Sequence, residues 1–167
     1  MGCTGDEAKT SNKLIEIFLP DALFEKEDIE EIIAAAREEN DVSIIKENNG
    51  HFILIMSRDT HEEIVRALEA GLLEFITDVK TNQAYVSIVD LTYNPSFTEF
   101  NIIVNKEAFE QSFDGFAAMG LGVMGMYYQM FSGIDTADIE VTVLVEDNSS
   151  GEVFEAYIYP DALYIEE

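Results

Sequence analysis

Two β-rich runs, VSIIKEN and HFILIMS, meet at the dipeptide Asn49-Gly50. Asparagine and glycine accept the positive φ angles of a type I′ turn, which is the commonest tight connection between antiparallel strands. The sequence therefore predicts a hairpin here. The same arrangement recurs twice: AYVSIVDL and FTEFNIIVN join through TYNPS, and DIEVTVLVE and EVFEAYIYP flank DNSSG. Three strand pairs are predicted in all, and turn residues separate the strands of each pair.

Each strand pair is preceded by a segment with helical spacing of apolar residues. The first, EDIEEIIAAAREEN, predicts a helix that begins near residue 27 and ends at Asn40. The second begins with Thr60 and Glu63 at capping-box spacing and continues as an apolar stripe to Val79. The third is predicted over residues 106–131 and ends at Ser132-Gly133. The chain is thus predicted to carry three amphipathic helices.

A further strand, KLIEIFLP, precedes the first helix and is closed by Pro20. The predicted order is β-αββ-αββ-αββ, which defines an α+β fold. Its simplest arrangement is one antiparallel sheet of up to seven strands with three helices packed on one face. Two smaller sheets are the alternative. Residues 1–12 are predicted to be a flexible leader or tether, and residues 13–167 a single α+β domain.

The charge of the chain limits its partners. Its 167 residues include 34 Asp and Glu against 9 Lys and Arg, so the formal net charge is −25. Nucleic-acid phosphates and anionic membrane surfaces both require clustered cationic side chains, so neither is an expected partner. The single Cys excludes a disulfide scaffold and a Cys-based zinc site. The composition is that of an acidic, folded, soluble protein.

The third helix contains the most unusual segment, because GFAAMGLGVMGMYYQMFSGI over residues 115–134 has no charged residue. Five glycines, one glutamine and two adjacent tyrosines dilute its hydropathy, so a membrane span is not expected. Glycine in a helix interior costs about 1 kcal/mol relative to alanine and requires a reason such as close packing. We predict two faces. The sheet-facing set is Phe109, Phe113, Phe116, Val123 and Tyr127, and a small-residue ridge on another side comprises Ala118, Gly122 and Gly125.

The ridge has two interpretations. The helix is packed tightly between neighbours in the core, or the ridge borders a partner interface or a ligand groove. For the second case the predicted binding residues are Ala118, Gly122, Gly125, Tyr127 and Tyr128.

No motif in the chain supports a particular reaction. GLGVMG matches G-x-G-x-x-G in letters but follows a helical pattern rather than a strand, so no dinucleotide site is expected. HEEIV lacks the second histidine of a zinc protease, and EDNSSG fails the calcium-loop pattern, since Tyr157 stands where the bidentate acid belongs. We predict no catalytic residue, metal ligand or cofactor. A hydrolase using a carboxylate pair and a weak calcium-responsive adhesion module remain alternatives.

Cys3 lies in the leader, and Gly2-Cys3 matches the last two positions of a bacterial lipobox, in which the cysteine is lipidated. The charged and apolar parts of a signal peptide do not precede it, so we expect a mature or truncated form. An incidental cysteine is the alternative.

Three segments add a family resemblance: LIEIFLPDALFEKEDIEEIIAAARE, LTYNPSFTEFNIIVNKEAFEQSFDGFAAMGLGVMGMYYQMF and GEVFEAYIYPDA. With these the chain resembles the uncharacterised lipoproteins of Gram-positive bacteria, whose domain has no known function. The resemblance implies an extracytoplasmic domain anchored to the cell membrane by lipid, and it assigns no reaction. We therefore expect a non-enzymatic surface module that binds a protein, peptide or envelope ligand and meets the membrane only through its anchor.

Overall fold

The structure is a computed structural model that describes residues 13–20, 42–46 and 51–164. The chain divides into two compact units, Met1–Glu62 and Glu63–Glu167. This division falls inside a helix rather than in a linker, and the single domain expected over residues 13–167 stays a prediction. The predicted leader and the predicted helix near residues 27–40 lie outside the described residues.

The described part of the first unit contains a three-stranded antiparallel sheet. Its strands are β1 (Ile15–Pro20), β2 (Val42–Lys46) and β3 (His51–Met56), in the order β1-β3-β2. β2 and β3 are antiparallel, and their pairing extends as far as Lys46, which lies opposite Phe52. This confirms the predicted hairpin pairing. The turn residues between them lie outside the described ranges.

Helix α1 (Arg58–Thr81) follows β3 directly. The Ser57 hydroxyl oxygen accepts a hydrogen bond from the Thr60 amide at 3.2 Å, so Ser57 caps the helix. The prediction of a capping box starting at Thr60 is therefore wrong by one turn. The local reason is that Ser57 is the first capping-type side chain after the strand ends at Met56. Of the predicted apolar stripe, Leu72 and Val79 are buried in the second half of the helix, and Ile76, which was not part of the prediction, is buried with them.

The second unit is built on a four-stranded sheet. Its strands are β4 (Ile88–Tyr93), β5 (Glu99–Val104), β6 (Val141–Asp147) and β7 (Val153–Tyr159), in the order β4-β5-β6-β7. The outer pairs are antiparallel hairpins, as predicted, but β5 and β6 run parallel. A parallel pair requires a long crossover, and the helical segment between β5 and β6 provides it.

The α+β class is confirmed, while the strands of the described residues form two sheets rather than one of seven strands. Two smaller sheets were the alternative expectation. The predicted third helix is two helices, α2 (Lys106–Glu110) and α3 (Gly115–Phe131), and a short 3-10 helix (Asp161–Tyr164) follows β7.

One face of the four-stranded sheet forms the core of the second unit. Alternation of side chains brings six residues to this face with no exposed surface: Phe100, Ile102, Val104, Val141, Val143 and Val145. Helix α3 packs on this face against β6 and β7. Within the described residues, every helix is too short or too polar to cross a membrane.

Helix α3 ends where the sequence predicted. Gly133 has φ 86°, and the amide of Ile134 donates to the carbonyl of Gln129 at 3.1 Å. This is the pattern of a glycine C-terminal cap. The side chain of Gln129 is buried and binds the backbone of Glu140 through its Nε2 at 2.8 Å. The one polar side chain in the middle of the apolar helix thus fixes the segment that leads into β6.

Candidate functional site

A break between α2 and α3 determines which side chains of α3 reach solvent. At the break, the Ser112 hydroxyl donates to the carbonyl of Phe109 at 3.1 Å and accepts from the Asp114 amide at 3.2 Å. The carboxylate of Asp114 is buried and accepts two hydrogen bonds from Ser87, from the amide at 2.7 Å and from the hydroxyl at 2.5 Å. This pair anchors the beginning of α3 to the segment just before β4.

The small-residue ridge of α3 faces the sheet, so its predicted placement on another side of the helix is wrong. A Cβ atom on Gly122 would lie 2.7 Å from Cγ of Tyr159 and closer still to Cδ2 and Cε2 of that ring. A Cβ on Gly125 would lie 2.9 Å from the carbonyl oxygen of Phe97 and 3.1 Å from a methyl group of Val141. Ala118 is also buried. The protein itself fills the space beside the ridge, as the core-packing interpretation predicted.

The predicted sheet-facing set of α3 is wrong at two positions. Phe113 is 83% exposed and Phe116 is 64% exposed. The prediction assumed one continuous helix from residue 106, and the break at 111–114 gives α3 a separate orientation. The Asp114-Gly115 dipeptide is a known interruption signal and was the available clue. Bulky sheet residues such as Tyr159 then require glycine opposite them, so the small side of α3 turns inward.

The two tyrosines predicted as binding residues are half-buried. Tyr128 packs edge-to-face on the buried ring of Phe97, with 5.0 Å between the ring centroids. A ligand-binding role for Tyr127 and Tyr128 stays a prediction.

The exposed residues of the break and of the first turns of α3 border a groove of about 310 Å³ beside the end of β7. We name it the aromatic groove. Phe113 and Phe116 stack there with 6.3 Å between their centroids, and Met119 is 45% exposed. The lining residues are Ser112, Phe113, Gly115, Phe116, Met119, Tyr157, Tyr159 and Ala162.

The floor of the groove is formed by two tyrosines of β7. Burial raises the pKa of both Tyr157 and Tyr159, and the nearby Glu155 raises that of Tyr157 further. The hydroxyl of Tyr157 donates a hydrogen bond to a carboxylate oxygen of Glu155. Both phenols are therefore neutral at physiological pH. They give the groove an uncharged aromatic floor.

The electrostatics around this groove are strongly one-sided. Residues 107–167 include 13 Asp and Glu and no Lys, Arg or His. The preceding cation, Lys106, lies over the ring of Phe154 at 4.7 Å, at the other end of β7. Among the described residues, the cationic side chains of this unit thus lie outside the groove lining. A cationic ligand would meet an attractive field there.

Two of the other acidic residues of this unit, Asp147 and Asp135, accept hydrogen bonds within turns. Asp147 accepts hydrogen bonds from the hydroxyls of Ser149 and Ser150, which close the turn between β6 and β7. These bonds lower the pKa of Asp147 to about 2. Asp135 likewise accepts from the amide of Ala137 in a turn. In the residues that the structure describes, no three His, Cys, Asp or Glu side chains are grouped so that they could hold a metal ion.

The GLGVMG match lies inside α3, so its amides are engaged in the helix and do not form a phosphate-binding turn. A larger hollow of about 730 Å³ is lined by α1 residues alone, including Leu73 and Thr77. It is the open side of one helix rather than a cleft between elements. The aromatic groove is the candidate site because several separate elements form it and its rim is apolar.

No protein-family model, curated protein or solved structure matches this chain. Cys3, the predicted lipid attachment point, lies outside the described residues.

Proposed function

We propose that this chain is the folded part of a lipid-anchored protein on the outer face of a Gram-positive cell membrane, attached through Cys3 and the leader over residues 1–12. It acts as a non-enzymatic binding module, and the aromatic groove is its binding surface. The lipobox-like Gly2-Cys3 and the family resemblance support the location. The groove supports the binding role.

The observation that carries the binding role is the exposure of Phe113 and Phe116. Two phenylalanines that stack on each other in solvent, beside a concavity with a buried tyrosine floor, are costly to leave uncovered. Burying one such side chain is worth about 1.5 to 3 kcal/mol. Apolar side chains that cluster at a surface mark interaction sites more often than single exposed ones do.

A hydrolase is less well supported. A carboxylic acid that donates a proton near neutral pH requires a raised pKa. Hydrogen bonds lower the pKa of Asp90 and of Asp147, which is the opposite of what such an acid requires. The carboxylate of Glu155 accepts a hydrogen bond from the hydroxyl of Tyr157, which lines the groove.

The location is tested by expressing the complete native gene and measuring the intact mass and membrane partition of its product. We expect a lipid adduct on Cys3 and recovery with membranes. An unmodified product in the cytosol would refute the surface assignment.

The binding surface is tested separately with a photo-crosslinking amino acid in place of Phe116 in intact cells. Leu73 on α1, which is 36% exposed, is the matched control position. We expect a defined adduct from position 116 and none from position 73. Equal labelling from both positions, or none from either, would remove the groove as the binding surface.

A further inference from the structure

The strand β7 is the last strand of its sheet, and one of its edges has no strand beside it in the described residues. The Thr142 amide of β6 donates to Thr98 on the β5 side, while the Asp147 amide donates to Glu152 on the β7 side. Alternate residues of β6 therefore direct their backbone groups to β7.

The register of the antiparallel pair then decides which groups of β7 point outward. Val143 pairs with Tyr157, and Val141 pairs with Tyr159, so these residues of β7 exchange hydrogen bonds with β6. Ile158 lies between Tyr157 and Tyr159, and Ala156 precedes Tyr157. The amides and carbonyls of Ala156 and Ile158 therefore point away from the sheet. Ile158 is also 46% exposed. A row of backbone donors and acceptors is thus available along the end of β7 that borders the aromatic groove.

The edge and the groove are continuous. Tyr157 and Tyr159 direct their side chains to the helix side of the sheet, where they form the groove floor. A strand added beside β7 would lie about 4.8 Å from it, and every second side chain would point to the same side. Those side chains would meet Phe116 and Met119 on the flank of α3. The other side chains would lie beside Ile158 on the opposite face.

The charge of the region selects the occupant. Glu152, Glu155 and Asp161 lie in or next to β7, within a stretch of the sequence that contains no cationic residue. A second copy of the chain, with a net charge of −25, would be repelled from this edge. An extended segment with Lys or Arg would be attracted to it.

We propose that the outer edge of β7 binds an extended, cationic polypeptide segment as a fifth strand of the sheet, with alternate apolar side chains in the aromatic groove. This deepens the proposed function and rests on it. Backbone pairing at Ala156 and Ile158 holds the segment, the groove selects apolar or aromatic side chains at every second position, and the acidic surroundings select Lys or Arg between them.

The probe is a short fluorescent peptide that alternates Lys with Val and Phe, titrated against the full chain by anisotropy. Two control peptides test the two parts of the proposal. One has alternate backbone amides methylated so that it cannot pair, and the other has Glu in place of Lys. We expect each control to bind at least about tenfold more weakly, and the binding of the Lys peptide to weaken as salt is added.

Two variants of one position separate the backbone from the side chain. Ile158→Pro removes an outward amide and is compatible with an edge strand, whereas Ile158→Thr keeps both the amide and the β-branched shape. We expect about a tenfold loss of affinity for the proline variant and less than about a threefold change for the threonine variant. Amide hydrogen exchange at Ala156 and Ile158 in the unmodified chain should slow when the peptide is bound, whether or not the proline variant folds.

Equal binding of the methylated peptide, or unchanged exchange at both amides in the peptide complex, would overturn strand addition. Equal binding of the Glu peptide would overturn the cationic requirement, and a dissociation constant weaker than about 1 mM for the Lys peptide would overturn the proposal as a whole. In each case an adduct specific to position 116 in cells would leave the broader binding function intact. Loss of both the peptide and the adduct would remove both.

Discussion

Replacing Gly122 with alanine tests how closely α3 lies on the sheet. In an ordinary helix this change is stabilising by about 1 kcal/mol, because alanine restricts the unfolded chain and favours the helix. Here the added methyl group would lie 2.7 Å from Cγ of Tyr159 and closer to two other ring carbons. Carbon atoms in good contact are about 3.5 to 4.0 Å apart, so the ring or the helix must move by about 1 Å.

The ring cannot move freely, because Tyr159 is only 3% exposed. Overpacking of this kind costs about 1 to 3 kcal/mol, and more where the backbone must shift. With the helix-propensity gain of about 1 kcal/mol subtracted, we expect Gly122→Ala to lower the free energy of unfolding by up to about 2 kcal/mol. For a chain of this length, the melting temperature should fall by up to about 8 °C.

Gly71→Ala is the matched control. Gly71 lies inside α1, and a Cβ there would be 4.0 Å from the terminal methyl group of Met124, an ordinary contact. This variant should raise the free energy of unfolding by about 0.5 to 1 kcal/mol. Urea denaturation followed by circular dichroism measures both variants. A Gly122→Ala protein that is as stable as Gly71→Ala would show that the packing argument is wrong.

A double-mutant cycle identifies the clashing partner. In a Tyr159→Leu background the ring is absent, so the cost of Gly122→Ala should fall by about 1 kcal/mol or more. The same cost with and without the ring would mean that another neighbour of α3 resists the methyl group.

The remaining predictions concern three polar contacts. Ser87→Ala leaves the buried carboxylate of Asp114 without its hydroxyl donor, so we expect the free energy of unfolding, measured by urea denaturation, to fall by about 1 to 3 kcal/mol. A fall of less than about 0.5 kcal/mol would show that the contact is dispensable. The pKa of Asp147 is lowered from 3.8 to about 2 in the folded chain, so its stabilising effect is present above pH 3.8 and disappears as the pH falls toward 2. The difference in melting temperature between the unmodified chain and Asp147→Ala should accordingly narrow over that interval, and a constant difference would contradict the assignment. The side chains of Lys80 and Asp90 form an ion pair at 2.9 Å, and both are nearly half exposed. A double-mutant cycle should therefore give a coupling energy of about 0.2 to 1 kcal/mol at low salt and less at about 1 M salt. A coupling energy that salt leaves unchanged would contradict a surface ion pair.

Local patterns in the sequence predicted the elements of this fold well. The two hairpins of the second unit, the pairing of β2 with β3 and the glycine end of α3 all follow from turn chemistry and alternation within a few residues. Residues that interact with partners only a few positions away in the sequence can adopt few relative geometries. The α+β class follows from the same elements, because amphipathic helices and half-buried strands require each other.

Positions that depend on distant partners were predicted less well. The break before α3 involves Ser87 and Asp114, which are 27 residues apart, and no local pattern shows that a serine before β4 will bind that carboxylate. The exposure of Phe113 and Phe116 depends on this break. As a result, the aromatic groove could not be derived from periodicity.

The sequence by itself therefore determined the acidic character, the strand pairs, the helical segments and the need for close packing along the glycines of α3. Tertiary structure decided the partition into two sheets, the parallel pairing of β5 with β6, and the face of α3 that meets the sheet. The physical reason is the range of the interactions. Turn and helix signals act over a few residues, whereas Gly122 is forced inward by Tyr159, a ring 37 positions later in the chain.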